Sequence, residues 1–204
     1  MRFRCIVYRA VHPQWSWSPT SGEGARLRGG RFNRVGLPAL YTSWSPLTAI
    51  REASALREPM QPIVLCAYEV DVEPVFDSMN PTQRMDEGVT DDALRCPRWK
   101  EEMCRGKVPG SQALADRLIA AGYVGMRVPS FAPGADADDV NLVLWRWSDR
   151  RPSRVVLIDD EARYLYRRPG SADALPDSKR RDTRPLWVPV VLQPDAEGHL
   201  ATPT

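Results

Sequence analysis

Pro38-Ala39-Leu40-Tyr41-Thr42-Ser43-Trp44-Ser45-Pro46-Leu47-Thr48-Ala49-Ile50-Arg51-Glu52 (residues 38–52) passes from a strand pattern into a helix pattern without a long connection. Pro38 to Ser43 reads as a short strand, and alternation puts Leu40 and Tyr41 on opposite faces. Ser45-Pro46 then starts a helix. The serine hydroxyl serves as the N-cap acceptor, and proline fits the first helical position because no partner for its missing N–H is needed there. The spacing predicts a helix over 46–57, stopped by Pro59. Leu47, Ala49, Ile50, Ala53 and Leu56 form its expected apolar face, and Glu52 borders that face.

Working outward, strands are expected at Cys5–Val11, Pro62–Val70, Glu73–Asp77, Tyr123–Val128, Val140–Trp147 and Val155–Ile158. Residues 12–36, rich in Gly, Ser, Pro, Trp and Arg, read as one long structured loop, and such loops usually carry function. Short helical pieces are expected over 80–105. Gly110–Ala121 reads as an amphipathic helix with Leu114, Leu118 and Ile119 inward, ended by Gly122. Strict βαβ alternation is absent. The pattern therefore predicts an α+β fold: a single domain over residues 1–165 with a mixed or antiparallel sheet flanked by helices. Residues 166–204 read as a partly mobile tail with a further strand at 186–192.

The chain has 204 residues, 43% of them hydrophobic, enough for one good core. No apolar run approaches the roughly 20 residues that cross a bilayer, and the N-terminus lacks a leader's apolar stretch, so a cytoplasmic protein is expected with no membrane partner. Cys5, Cys66, Cys96 and Cys104 match no zinc spacing and read as reduced thiols. With only His12 and His199, a histidine-based triad or metal site is not expected. The net charge of +2 is unevenly spread. Residues 1–60 carry nine arginines against three glutamates, or +6, and the remainder carries −4. A basic N-terminal third attracts either nucleic acid or a small anionic ligand.

The candidate chemistry sits in and around this basic third. Arg31 follows Gly29-Gly30, whose backbone N–H groups are expected to face the same anion as its guanidinium. The alternative is a surface arginine in a flexible loop. Tyr41 is either a stacking surface for a planar cation or an ordinary half-buried strand tyrosine. Glu52 is either a working carboxylate or a rim residue paired with a neighbour. Ser130, at a strand end, either bonds a ligand or caps a turn. Asn33, Ser43 and Asn141 are small polar candidates, and Tyr8-Arg9 adds an aromatic–cation pair.

Taken in order, Tyr8-Arg9, Gly29-Gly30-Arg31-Phe32-Asn33, Ala39-Leu40-Tyr41-Thr42-Ser43, Ala49-Ile50-Arg51-Glu52, Val128-Pro129-Ser130 and Asn141-Leu142-Val143-Leu144 resemble the RES domain, over about residues 5–160. The resemblance implies a fold similar to bacterial ADP-ribosyltransferase toxins of the diphtheria-toxin type, with NAD+ as substrate and no metal. It implies catalytic Arg31, Glu52, Tyr41 and Ser130, with Arg9, Tyr8, Gly30, Asn33, Ser43 and Asn141 binding the dinucleotide. It also implies a toxin paired with an Xre-type antitoxin that blocks the active site, nucleic acid being reached only through that antitoxin. By length and the arginine-rich lead-in, a ParT-type transferase resembles this chain more closely. Transfer of ADP-ribose to a host protein is the favoured expectation. NAD+ phosphorolysis or hydrolysis is the alternative, and a basic nucleic-acid binder or nuclease using Arg26, Arg28, Arg31 and Arg34 is the rival of another class.

Overall fold

The computed structural model describes residues 1–54 and 61–160. Its seven strands are β1 (Phe3–Val11), β2 (Leu40–Ser43), β3 (Val64–Val72), β4 (Val75–Asp77), β5 (Gly125–Pro129), β6 (Val140–Leu144) and β7 (Ser153–Leu157). Six helices accompany them: α1 (Glu23–Arg28), α2 (Pro46–Ser54), α3 (Pro81–Asp86), α4 (Asp91–Arg95), α5 (Trp99–Cys104) and α6 (Gly110–Ala120). The strands form one mixed sheet in the order β4-β5-β6-β2-β1-β3-β7. Only β4–β5 is parallel; every other pairing is antiparallel. The α+β class and the mixed sheet expected from the sequence are what the chain adopts. The expected ends of the 46–57 helix, its Leu56 and Pro59, and the whole 166–204 tail lie outside the described residues.

Two apolar clusters occupy the two faces of the sheet. On one face Val7, Leu40, Tyr68, Val70, Leu142 and Leu144 are buried, and the Tyr68 hydroxyl donates to the Pro19 carbonyl at 2.8 Å, tying down the 13–22 segment. On the other face Phe76, Met126, Val128 and Val143 pack with Leu94 of α4 and with Leu114, Ala115 and Leu118 of α6. Burying a side chain of this size contributes about 1.5–3 kcal/mol, so this face anchors α6 firmly.

The sheet is unevenly sewn. β1 and β3 pair along nine residues, and β2 pairs with β6 along four. β1 and β2 meet only at Tyr8↔Ser43. A seam therefore divides a β4-β5-β6-β2 half from a β1-β3-β7 half, and the candidate residues gather along it.

Two sequence expectations change. The 12–36 region is not all loop: Pro13–Trp15 is a 3-10 turn and Glu23–Arg28 is helical. Gly22 and Gly24 weaken the helical signal there, and a tertiary bond from Gly36 N–H to the Arg26 carbonyl (2.7 Å) supports the helix instead. In α2, Leu47 is 72% exposed, while Thr48 and Ala49 are buried. The helix is rolled because the Thr48 hydroxyl has a buried carboxylate partner, Asp139. Ser45 does cap α2, its Oγ accepting from Thr48 N–H at 3.0 Å.

Candidate active site at the sheet seam

Cross-strand register sets a row on one face of the sheet. Tyr8 of β1 lies beside Ser43 of β2, then Asn141 of β6, then Val128 of β5. Paired residues share a face, so three of the sequence candidates stand shoulder to shoulder. Tyr41 belongs to the next row on that same face, beside Val143.

Glu52 reaches this row from α2. Its Oε1 accepts from Ser130 Oγ at 2.6 Å and from Asn141 Nδ2 at 2.6 Å. Asn141 Oδ1 in turn accepts from Ser43 Oγ at 2.7 Å, which fixes which way the amide points. Ser130 Oγ also accepts from Ala132 N–H at 3.2 Å. Both bonds to Glu52 fall on Oε1. Among the described residues, Oε2 takes none.

A second carboxylate, Asp139, locks the helix that carries Glu52 to the loop that carries Ser130. Thr48 Oγ1 donates to Asp139 Oδ1 at 2.5 Å, Asp136 N–H donates to Oδ2 at 3.0 Å, and Arg51 pairs with Oδ2. The Asp139 carbonyl accepts from Ser130 N–H at 2.7 Å. The Thr48 bond foremost, with the Asp136 amide next, holds the buried Asp139 carboxyl below its ordinary range. Sequence reasoning missed Asp139, because Asp136-Ala137-Asp138-Asp139 reads as a solvated acidic turn.

Arg31 completes the site from the other side. Its guanidinium carbon lies 4.6 Å from the ring centre of Phe131, the residue after Ser130, and 5.9 Å from that of Trp99. The same side chain donates to the carbonyls of Arg95 and Cys96 at the end of α4. Burial pushes the Arg31 guanidinium below its ordinary value, and attraction to Glu52 is the largest effect opposing that shift. Tyr41 responds to both Arg31 and Glu52, and burial raises its phenol well above the usual range. Arg31, Tyr41 and Glu52 thus share one electrostatic neighbourhood.

The loop between them is tightly determined. Tyr41 Oη donates to Asn33 Oδ1 at 2.8 Å and accepts from Phe32 N–H at 3.0 Å. Asn33 is fully buried, and its Nδ2 donates to the carbonyls of Ala25, Arg34 and Leu37. Gln112 Nε2 holds the Gly30 and Asn33 carbonyls at 2.9 and 3.0 Å, and Trp145 Nε1 holds that of Phe32 at 2.7 Å. A polar Gln112 on the buried side of an amphipathic helix was the signal available for this in the sequence. The glycine N–H groups do not face an anion as expected. Gly29 N–H bonds the Ala25 carbonyl and Gly30 N–H the Asn33 carbonyl, both at home in their own turns. Gly30 is needed for closeness: a Cβ there would sit 2.5 Å from Tyr41 Oη. Asn33 likewise is given over to the loop's own carbonyls and to Tyr41.

Arg9 is placed apart from this group. Strand alternation puts it on the opposite face from Tyr8, where its NH1 donates to the Pro19 and Ser21 carbonyls at 3.0 and 2.8 Å. Burial lowers its pKa, and among the described residues no carboxylate pairs with it. The arginines of the basic loop are not a free cationic array either: Arg26 pairs with Glu23 and Arg34 with Asp116. A separate hollow of about 390 Å³ lies over β1, β3 and β7 beside Arg4, Asp71, Arg151 and Arg154, away from Glu52. The fixed carboxylate at the seam, with polar groups converging on it, is the stronger candidate. Among the described residues no cluster of His, Cys, Asp and Glu is arranged to hold a metal, and no helix is long and apolar enough to cross a membrane.

An α+β domain thus carries, at a seam between half-sheets, a carboxylate held by two neutral donors and within electrostatic reach of a guanidinium. The RES domain family profile matches residues 6–167, and the chain belongs to that family. It is 40% identical over 47 residues to a protein of Photorhabdus laumondii named Toxin Res, a stretch covering 23% of this chain and 30% of that protein. A chain of the M. tuberculosis MbcT–MbcA toxin–antitoxin complex superposes with a TM-score of 0.54 at 25% identity, over 78% of this chain and 84% of that one.

Proposed function

We propose that this chain is the toxin of a toxin–antitoxin pair and breaks the nicotinamide–ribose bond of NAD+. The observation that carries the reading is Glu52 Oε1 held by Ser130 and Asn141 at 2.6 Å each, in the same neighbourhood as Arg31. When the glycosidic bond breaks, its electron pair leaves with nicotinamide and positive charge develops on the ribose. A carboxylate fixed in advance stabilises that charge without reorganising. Glu52 Oε2 is the oxygen for this role, since Oε1 is taken. Arg31 exchanges the α4 carbonyls for the pyrophosphate, a stronger and geometrically matched partner. Tyr41 offers its ring to the nicotinamide, and Ser130 its hydroxyl to the ribose or the carboxamide. Arg9 keeps the 13–22 segment in place behind the sheet.

The electron-poor anomeric carbon then accepts a nucleophile, which loses its proton. Transfer to a side chain of a host protein is the favoured course, by likeness to ADP-ribosylating toxins; phosphate and water complete the same bond change. An Xre-type antitoxin that covers the cleft is the expected partner, a reading supported by the superposition on a toxin–antitoxin complex.

Glu52→Gln tests the assignment. The glutamine carbonyl still accepts from Ser130 and Asn141, so the fold should persist, while nicotinamide release falls about 10²- to 10³-fold, the cost of losing one electrostatic stabiliser. Nicotinamide release at the parent rate would end the proposal. Labelled NAD+ incubated with lysate, with phosphate or with neither then identifies the acceptor, as label on a protein, on ADP-ribose-1″-phosphate or on free ADP-ribose.

A further inference from the structure

We propose that Trp99 forms, with Arg31, an adenine-nucleotide subsite at the far end of the candidate cleft; this rests on the NAD+-cleaving reading and names where the other half of the dinucleotide goes. Glu52 bonds Ser130, Ser130 precedes Phe131, Phe131 lies under Arg31, and Arg31 reaches Trp99. The side chains therefore form one continuous chain of contacts from Glu52 to Trp99. The dinucleotide has the same order: nicotinamide ribose, pyrophosphate, adenosine. With the reacting sugar at Glu52 and the pyrophosphate on Arg31, the remaining nucleoside falls at Trp99.

Trp99 suits a planar base attached to a polyanion. It opens α5 and is only half-buried, and it belongs to neither core cluster. Two cations attend its ring: Arg31 at 5.9 Å and Lys100 Nζ at 5.5 Å. Indole is the best aromatic partner for both cations and bases, and Lys100 adds positive charge where a phosphate-bearing ligand arrives. Arg31 is already tied to this segment through the Arg95 and Cys96 carbonyls, so a diphosphate that takes its guanidinium meets the Trp99 ring beside it.

Calorimetric titration of the full chain with ADP, which has the base and diphosphate but no bond to cleave, tests the subsite. The parent should bind ADP, Trp99→Ala should bind at least fivefold more weakly, the low end of base–aromatic stacking, and Trp99→Phe should recover most of the loss with an unchanged melting temperature. Glu52→Gln should bind ADP like the parent. Parent-like ADP binding by Trp99→Ala, or no ADP binding by the parent, overturns the subsite. A chain that binds ADP through Trp99 yet leaves NAD+ intact keeps the subsite and loses the Glu52 chemistry; cleavage with unchanged KM in Trp99→Ala does the reverse.

Discussion

Replacing Asp139 with asparagine would separate the two elements that position Glu52. The carboxylate serves three donors, Thr48 Oγ1 on one oxygen and Arg51 with the Asp136 amide on the other. Asparagine has one acceptor oxygen. Whichever way its amide is turned, an NH₂ faces a donor. A hydrogen bond to a charged group contributes about 1.5–3 kcal/mol, and the Arg51 share is discounted because that side chain is 35% exposed. A loss of about 2 kcal/mol remains, or about 4–8 °C in Tm for a domain of this size. The pH dependence supplies the sharper check. Asp139 titrates lower when folded, so its stabilisation is complete above the unfolded carboxyl value near 4 and disappears as pH falls through the folded value. The Tm gap between parent and Asp139→Asn should therefore narrow between about pH 5 and about pH 3. Nicotinamide release should also drop, by up to ~10²-fold, as the Glu52–Ser130 geometry loosens. A gap under about 1 °C at neutral pH, or one that stays constant on acidification, would refute the account of Asp139 as the clamp.

Gly30→Ala should lower stability by about 1–3 kcal/mol, since its Cβ meets Tyr41 Oη at 2.5 Å and Asn33 Oδ1 at 2.6 Å. Adding Tyr41→Phe removes the nearer atom, so chemical denaturation of the double variant should show less loss than the two single losses combined. Asp71, held to about 2 chiefly by its bond to Arg2 and secondarily by Arg151, stabilises the fold above the unfolded carboxyl value and loses that effect as pH falls toward 2. Asp71→Asn should accordingly flatten the acid limb of a Tm-against-pH curve, and an unchanged limb would count against the Arg2–Asp71 pair.

Much of the fold was legible because periodicity reports burial directly. The strand-to-helix passage around Ser45-Pro46 carried its own cap, and the strands expected at Pro62–Val70 and Val140–Trp147 appear as Val64–Val72 and Val140–Leu144. Glu52, bordering an apolar helix face, was visible for the same reason. What escaped was decided at long range. Thr48 is buried because Asp139 lies 91 residues away, and no local pattern conveys that. The two glycines before Arg31 announce a close approach, but the sequence does not say that Tyr41 makes it rather than a ligand. Arg9 and Tyr8 are neighbours in sequence and so divide between faces, which alternation allows one to work out once β1 is placed.

The single Tyr8↔Ser43 pair has a mechanical consequence. Prising the two half-sheets apart costs little hydrogen bonding, whereas unravelling β1 from β3 means breaking a nine-residue ladder. The joint is held instead by side chains: Val7 and Tyr68 on one half and Leu40 and Leu142 on the other belong to one buried cluster, so apolar packing rather than a ladder keeps the two plates together.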